Sequence, residues 1–122
     1  MVKKILLVDD NEDLIELLKE VLADFDVEDA NNGVKAVEKF RKQNPDIVLM
    51  DIMMPEMDGI EATREIVGIN PGAKIVGLTA YGSCRGDQML SAGACRVLSK
   101  PVKYTELLQC ITDVLSQGQP CP

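Results

Sequence analysis

The sequence contains no histidine and no tryptophan, and its aromatic share is only 3%. Without an imidazole the chain cannot donate a phosphohistidine or use histidine as an acid or base. The four cysteines, Cys84, Cys95, Cys110 and Cys121, form no Cys-x-x-Cys pair, so a zinc site lacks its usual ligands. Reduced thiols used mainly for packing are expected. Basic residues are the minority, 13 Lys and Arg against 20 Asp and Glu, for a net charge of −7. That balance argues against direct nucleic-acid binding, which needs Lys and Arg to displace counterions. It suits a cation site. Met1-Val2-Lys3-Lys4 leads into a run of only four apolar residues before Asp9, too short for a signal peptide, and no run reaches membrane-spanning length. A cytoplasmic protein without membrane insertion is expected.

What is present describes one ordinary globular domain of 122 residues, 46% hydrophobic and 27% charged. Its centre is Ile47–Asp51, Ile-Val-Leu-Met-Asp. Four consecutive apolar residues are too few for a helix but suit a strand covered on both faces, as in parallel sheets. Pro55 and Gly59 then punctuate a loop. Asp51 is thereby placed at the carboxyl end of a buried strand, where open α/β sheets carry their ligand sites. The plainer alternative is that Asp51 only caps the strand.

Lys4–Val8 is a second apolar run ending in acids, Asp9 and Asp10. Asn11 can cap a helix whose stripe of Leu14, Leu17, Leu18, Val21 and Leu22 extends to about Phe25. Asp26–Ala30 is a polar strand suited to an edge, closed by the turn pair Asn32-Gly33. Val34, Val37 and Phe40 space a second helix, and Ile60, Thr63, Ile66 and Val67 a third that stops at Asn70-Pro71-Gly72. Residues 74–78 form a fourth strand running out at Thr79-Ala80. Across residues 81–93, Gly82, Ser83 and Gly86 weaken the helix that Met89 and Leu90 favour, so a short, frayed helix is expected. Residues 95–98 make the fifth strand, and the stripe from Tyr104 to Leu115 the last helix. The domain is expected over 1–117, with 118–122 a disordered tail or linker remnant.

Five strand-helix units with right-handed crossovers give a doubly wound, five-stranded parallel α/β sheet with helices on both faces. Its strand ends converge on one edge. Asp9, Asp10, Asp51, Thr79 and Lys100 can therefore meet there. Clustered carboxylates ionise cheaply only beside a cation, and hard oxygen ligands select Mg²⁺ or Mn²⁺. Because Mg²⁺ draws its other ligands from water and phosphate oxygens, a phosphoryl group is the natural visitor. One carboxylate could act as nucleophile, with the Lys100 ammonium and Thr79 hydroxyl neutralising phosphoryl oxygens. Taken singly, Asp9 and Asp10 could be helix caps, Lys100 a surface lysine and Thr79 a backbone-bonded hydroxyl.

The ordered set Asp9-Asp10, Asp51 followed by Met54-Pro55-Glu56-Met57-Asp58-Gly59, Thr79-Ala80 and Lys100-Pro101 resembles the receiver domain of two-component response regulators, including stand-alone chemotaxis-type members. The resemblance spans residues 3–115. It implies the flavodoxin-like strand order 2-1-3-4-5, for which chemotaxis receivers are a known example. It also implies a phosphoacceptor Asp51, with Mg²⁺ held by Asp9 or Asp10, Asp51 and the Met53 carbonyl. Lys100 is expected on the phosphoryl oxygens and Thr79 as the switch hydroxyl, with Ala80 small enough to leave access. A cis Lys100–Pro101 bond is implied too. The partners implied are a histidine kinase or histidine phosphotransfer protein and a downstream target, met through the face of the fourth helix, fifth strand and fifth helix.

One departure concerns the switch. Three residues before Lys100 the family usually carries Tyr or Phe, and this chain has Val97. Valine has no ring to relocate, so readout through residues 79–86 and the following helix is expected instead. Met53 and Tyr81 flank the expected phosphoryl path and are read either as rim packing or as shields of an acyl phosphate. Competing functions are a phosphorelay intermediate, a receiver cut from a longer regulator or hybrid kinase, and a Mg²⁺-dependent small-molecule phosphatase. The last lacks a candidate acid-base group. A flavin carrier is disfavoured because Asp9-Asp10-Asn11-Glu12-Asp13 would repel a flavin phosphate.

Overall fold

Alternation of apolar side chains between two faces turns five short runs into a fully parallel sheet. The computed structural model describes residues 2–54, 56–80 and 85–116. Along the chain it forms β1 (Lys4–Val8), α1 (Glu12–Val21), β2 (Asp26–Ala30), α2 (Gly33–Gln43), β3 (Ile47–Asp51), α3 (Gly59–Ile69), β4 (Ile75–Thr79), α4 (Gly86–Ala92), β5 (Arg96–Ser99) and α5 (Tyr104–Ser116). The strands lie in the order β2-β1-β3-β4-β5, as the resemblance implied. β2, the polar strand, is an edge.

Every residue of β3 and β4 is buried. On one face Leu6, Val8, Val48 and Met50 pack with Phe40, Ile66 and Met89 from α2, α3 and α4. On the other, Ile5, Leu7, Ile47 and Leu49 meet Leu18 from α1 and Leu107 and Ile111 from α5. Each such side chain contributes about 1.5–3 kcal/mol by leaving water. The sheet is thus clamped from both sides, leaving its carboxyl edge for polar groups.

Three helices start on side-chain caps: Asn11, Asn32 and Asp58 accept from the backbone N–H of Leu14, Lys35 and Glu61. This corrects the turn expected at Asn32-Gly33. Asn32 is the cap and Gly33 the first helical residue, and Gly33 is needed because a Cβ there would lie 2.3 Å from the Met57 carbonyl oxygen. α1 ends at Val21, not near Phe25: Leu22 and Phe25 stay in the core, but the Phe25 N–H already bonds Leu22 O to turn the chain toward β2. β4 and β5 each begin one residue later than expected, so Thr79 belongs to its strand. Among the described residues of the glycine-weakened stretch, the helix covers Gly86–Ala92. Residues 81–84, with Tyr81 and Cys84, and the tail at 118–122 lie outside the described residues.

The thiol expectation holds for Cys110, which is free and buried. It fails at Cys95, which is disulfide-bonded; cysteine spacing alone carried no sign of that pairing.

Candidate phosphoryl site at the sheet edge

The carboxyl ends of β1, β3, β4 and β5 bring the expected residues together. Asp9 follows β1, its N–H donating to Ala30 O at 3.1 Å. Its two carboxylate oxygens are both used: Oδ1 accepts from the Asn11 N–H at 2.9 Å and Oδ2 from Lys100 Nζ at 2.9 Å. The same ammonium lies 3.3 Å from Asp51 Oδ1. Asp9 and Asp51 are buried, whereas Asp10 is exposed, yet all three place a carboxylate oxygen within 4.8 Å of one another. The Lys100 backbone N–H donates to Thr79 O at 2.7 Å, fastening β5 to the end of β4. Thr79 is buried and Ala80 beside it is exposed.

Electrostatics follow from this crowding. Burial, and then the neighbouring Asp9 charge, push the Asp51 carboxyl up to about 6, against the downward pull of Lys100. Burial alone would lower the Lys100 ammonium, but its hydrogen bond to Asp9 and the charges of Asp51 and Asp9 hold it above its ordinary value. One ammonium thus serves two buried carboxylates. A third stands beside them. An all-oxygen donor set with excess negative charge fits a small hard divalent cation, and Asp9, Asp10 and Asp51 are the side chains that could hold it.

Other expected positions fall around this centre. The Lys100–Pro101 peptide is cis. Met53 is 58% exposed. Val97 is half-buried and packs on the α2–α4 face, close to where Cβ atoms would stand on Gly77 and Gly86. No ring-sized side chain occupies that position, as the sequence indicated.

Sequence reasoning missed Arg85. It precedes α4 without a side-chain cap, and its guanidinium reaches back to Asp58 Oδ2 at 2.8 Å and Met53 Sδ at 2.9 Å. Burial would raise the Asp58 carboxyl, but the Glu61 amide and Arg85 outweigh it and hold Asp58 below its usual range. The partners are separated by 27 and 32 positions, beyond any helical or strand periodicity. The only sequence signal was a basic residue among helix-weakening glycines.

Comparison with known proteins agrees with the geometry. The response regulator receiver domain family model matches residues 5–112. The chain is 43% identical over 119 residues to the chemotaxis protein CheY of Halobacterium salinarum, covering 95% of this chain and 99% of that one. With CheY of Bacillus subtilis it shares 38% over 120 residues, covering 95% and 100%. A CheY-like receiver domain structure from Methanospirillum hungatei superposes with a TM-score of 0.89 at 30% identity, covering 94% of each chain. The CheX-CheY-BeF3-Mg complex of Borrelia burgdorferi gives 0.86 at 30% identity, covering 94% of this chain and 90% of that one. Topology, the convergence of acids and lysine at the sheet edge, and these full-length relatives lead to one conclusion: the chain belongs to the response regulator receiver domain family of two-component signalling.

Proposed function

We propose that this receiver is a phosphorylation-dependent signalling switch in which Asp51 accepts a phosphoryl group from the phosphohistidine of a partner kinase or histidine phosphotransfer protein. The observation that carries this reading is the single ammonium of Lys100 held between Asp9 and Asp51. In the transfer an Asp51 oxygen forms a bond to phosphorus as the phosphorus–nitrogen bond of the donor breaks. The electron pair leaves with the imidazole nitrogen. Lys100 sits where it can follow the phosphoryl oxygens, since its 3.3 Å contact with Asp51 is looser than its 2.9 Å contact with Asp9. Thr79, at the end of β4, supplies a hydroxyl to the same oxygens. Asp9, Asp10 and Asp51, with the Met53 carbonyl, would hold Mg²⁺, which when bound supplies charge neutralisation for the carboxylates and the incoming phosphoryl group.

The chemistry is performed on the protein itself, and the output is a changed binding surface. The face of α4, β5 and α5 is the proposed target surface, with exposed Leu90 and Tyr104 as apolar contact points. Mg²⁺ dependence and the acceptor are tested together by intact-protein mass spectrometry after incubation with acetyl phosphate. One Mg²⁺-dependent phosphoryl adduct on wild type, absent from Asp51→Asn, is the expected result. An adduct persisting in Asp51→Asn removes Asp51 as acceptor.

A further inference from the structure

Arg85 stands just outside this chemistry and joins three parts of the molecule. Its backbone carbonyl accepts from Met89 N–H as α4 begins. Its guanidinium pairs with Asp58, the cap of α3. Its other terminal nitrogen lies against Met53 Sδ, two residues beyond Asp51. The neighbouring packing is close: a Cβ on Gly86 would lie 3.3 Å from Val97, so the start of α4 is seated on β5 while Arg85 ties it to the segment after β3.

We infer that Arg85 is a positioning residue for the phosphoryl site, a strap from the start of α4 to Asp58 and Met53 that narrows the approach to Asp51. The inference rests on the proposed phosphoacceptor role of Asp51. Three features make a strap the physical reading. First, a guanidinium is a planar fork able to engage two partners at once, which a lysine ammonium on the same stem does less well. Second, Asp58 also accepts from the Glu61 amide, so the strap is anchored to a fixed helix start. Third, Met53 is otherwise largely exposed, and the arginine fixes a flexible thioether at the rim. Arg85 and Asp58 are each about one-third exposed, so the pair is weak enough to open and is sensitive to salt.

Wild type, Arg85→Gln and Arg85→Lys are compared by intact mass for phosphoryl gain from acetyl phosphate with Mg²⁺ and for phosphoryl loss after the donor is removed. Loss of the strap in Arg85→Gln is expected to speed both gain and loss roughly two- to fivefold, the scale of one partly exposed ion pair. Arg85→Lys, which keeps a cation for Asp58, falls between, and added NaCl brings wild type toward Arg85→Gln. Rates unchanged or slowed in Arg85→Gln overturn the strap. If wild type takes no phosphoryl group at all, it is the proposed acceptor role that fails. Amide hydrogen exchange at Met53, Asp58 and Gly86 in the unmodified proteins then decides the strap: faster exchange in Arg85→Gln supports it, and unchanged exchange overturns it.

Discussion

Lys100 Nζ stands 2.9 Å from Asp9 Oδ2 across 91 positions of sequence, and it is the contact through which β5 compensates the acids of β1 and β3. Replacing it by methionine keeps the stem and removes the charge. Asp9 and Asp51 then face each other without an ammonium, so the Asp51 carboxyl rises further above about 6, as an NMR titration of its carboxyl carbon will read. Stability without divalent cation is expected to fall by about 1–3 kcal/mol, less than for a fully buried pair because Lys100 is partly exposed and Asp51 can take up a proton. Phosphoryl gain from acetyl phosphate should slow roughly 100-fold.

Asp51 predicts a pH dependence of stability with a definite sign. Its carboxyl titrates at about 6 when folded, against 3.8 for an unperturbed aspartate. Between those values the folded protein holds a proton that the unfolded chain has released, so stability falls as pH rises through this window. The full penalty is about 3 kcal/mol and is complete somewhat above pH 6. Urea denaturation with EDTA at about pH 4 and pH 8 should show wild type losing most of that amount relative to Asp51→Asn. Mg²⁺ should restore much of it to wild type at the higher pH.

Gly59 shows how closely the backbone closes around the site. A Cβ there would lie 2.2 Å from the Asp51 carbonyl oxygen and 2.9 Å from Ile52 Cα. Both obstacles are backbone and cannot rotate away. Gly59→Ala is therefore expected to cost about 1–3 kcal/mol and to weaken Mg²⁺ binding by displacing Asp51. Gly68 in the same helix is exposed and meets nothing within 4 Å, so Gly68→Ala should be neutral or stabilise by up to about 1 kcal/mol. Chemical denaturation of the two variants makes the comparison.

These contrasts show which features were legible in the residues. β3 was readable to the residue because a strand buried on both faces writes an unbroken apolar run, and its terminal Asp51 marked the edge. That Lys100 would meet Asp9 followed from parallel strands ending on one side, together with the resemblance in motif order. Asn32-Gly33 was ambiguous because the same dipeptide suits a turn or a helix start, and only the position of the Met57 carbonyl decides. Arg85 could not be read, since its partners depend on how α4 is seated on the sheet. The Cys95 disulfide was hidden for the same reason: bridging depends on distances in the fold.

The position of Val97 leads to a prediction about how the switch is read out. Its methyls are 3.5 Å from where a Cβ would stand on Gly77 and 3.3 Å from one on Gly86. Met89 lies over Gly77 and accepts a hydrogen bond from Thr63 Oγ1 at 3.5 Å. α4 therefore rests on β4 and β5 through small residues and one thioether, and Val97 puts no ring among them. In the proposed switch, a pull on Thr79 would reach the proposed target face by shifting α4 as a short unit of seven residues. Phosphorylation is expected to move the backbone amide resonances of Gly86–Ala92 as well as those of Asp9, Asp51 and Lys100. Gly77→Ala, whose Cβ would meet Met89 Cγ at 2.7 Å, should lift α4 and displace the same resonances without phosphoryl. Shifts confined to the carboxylate cluster in the phosphorylated protein would mean that α4 is not the readout.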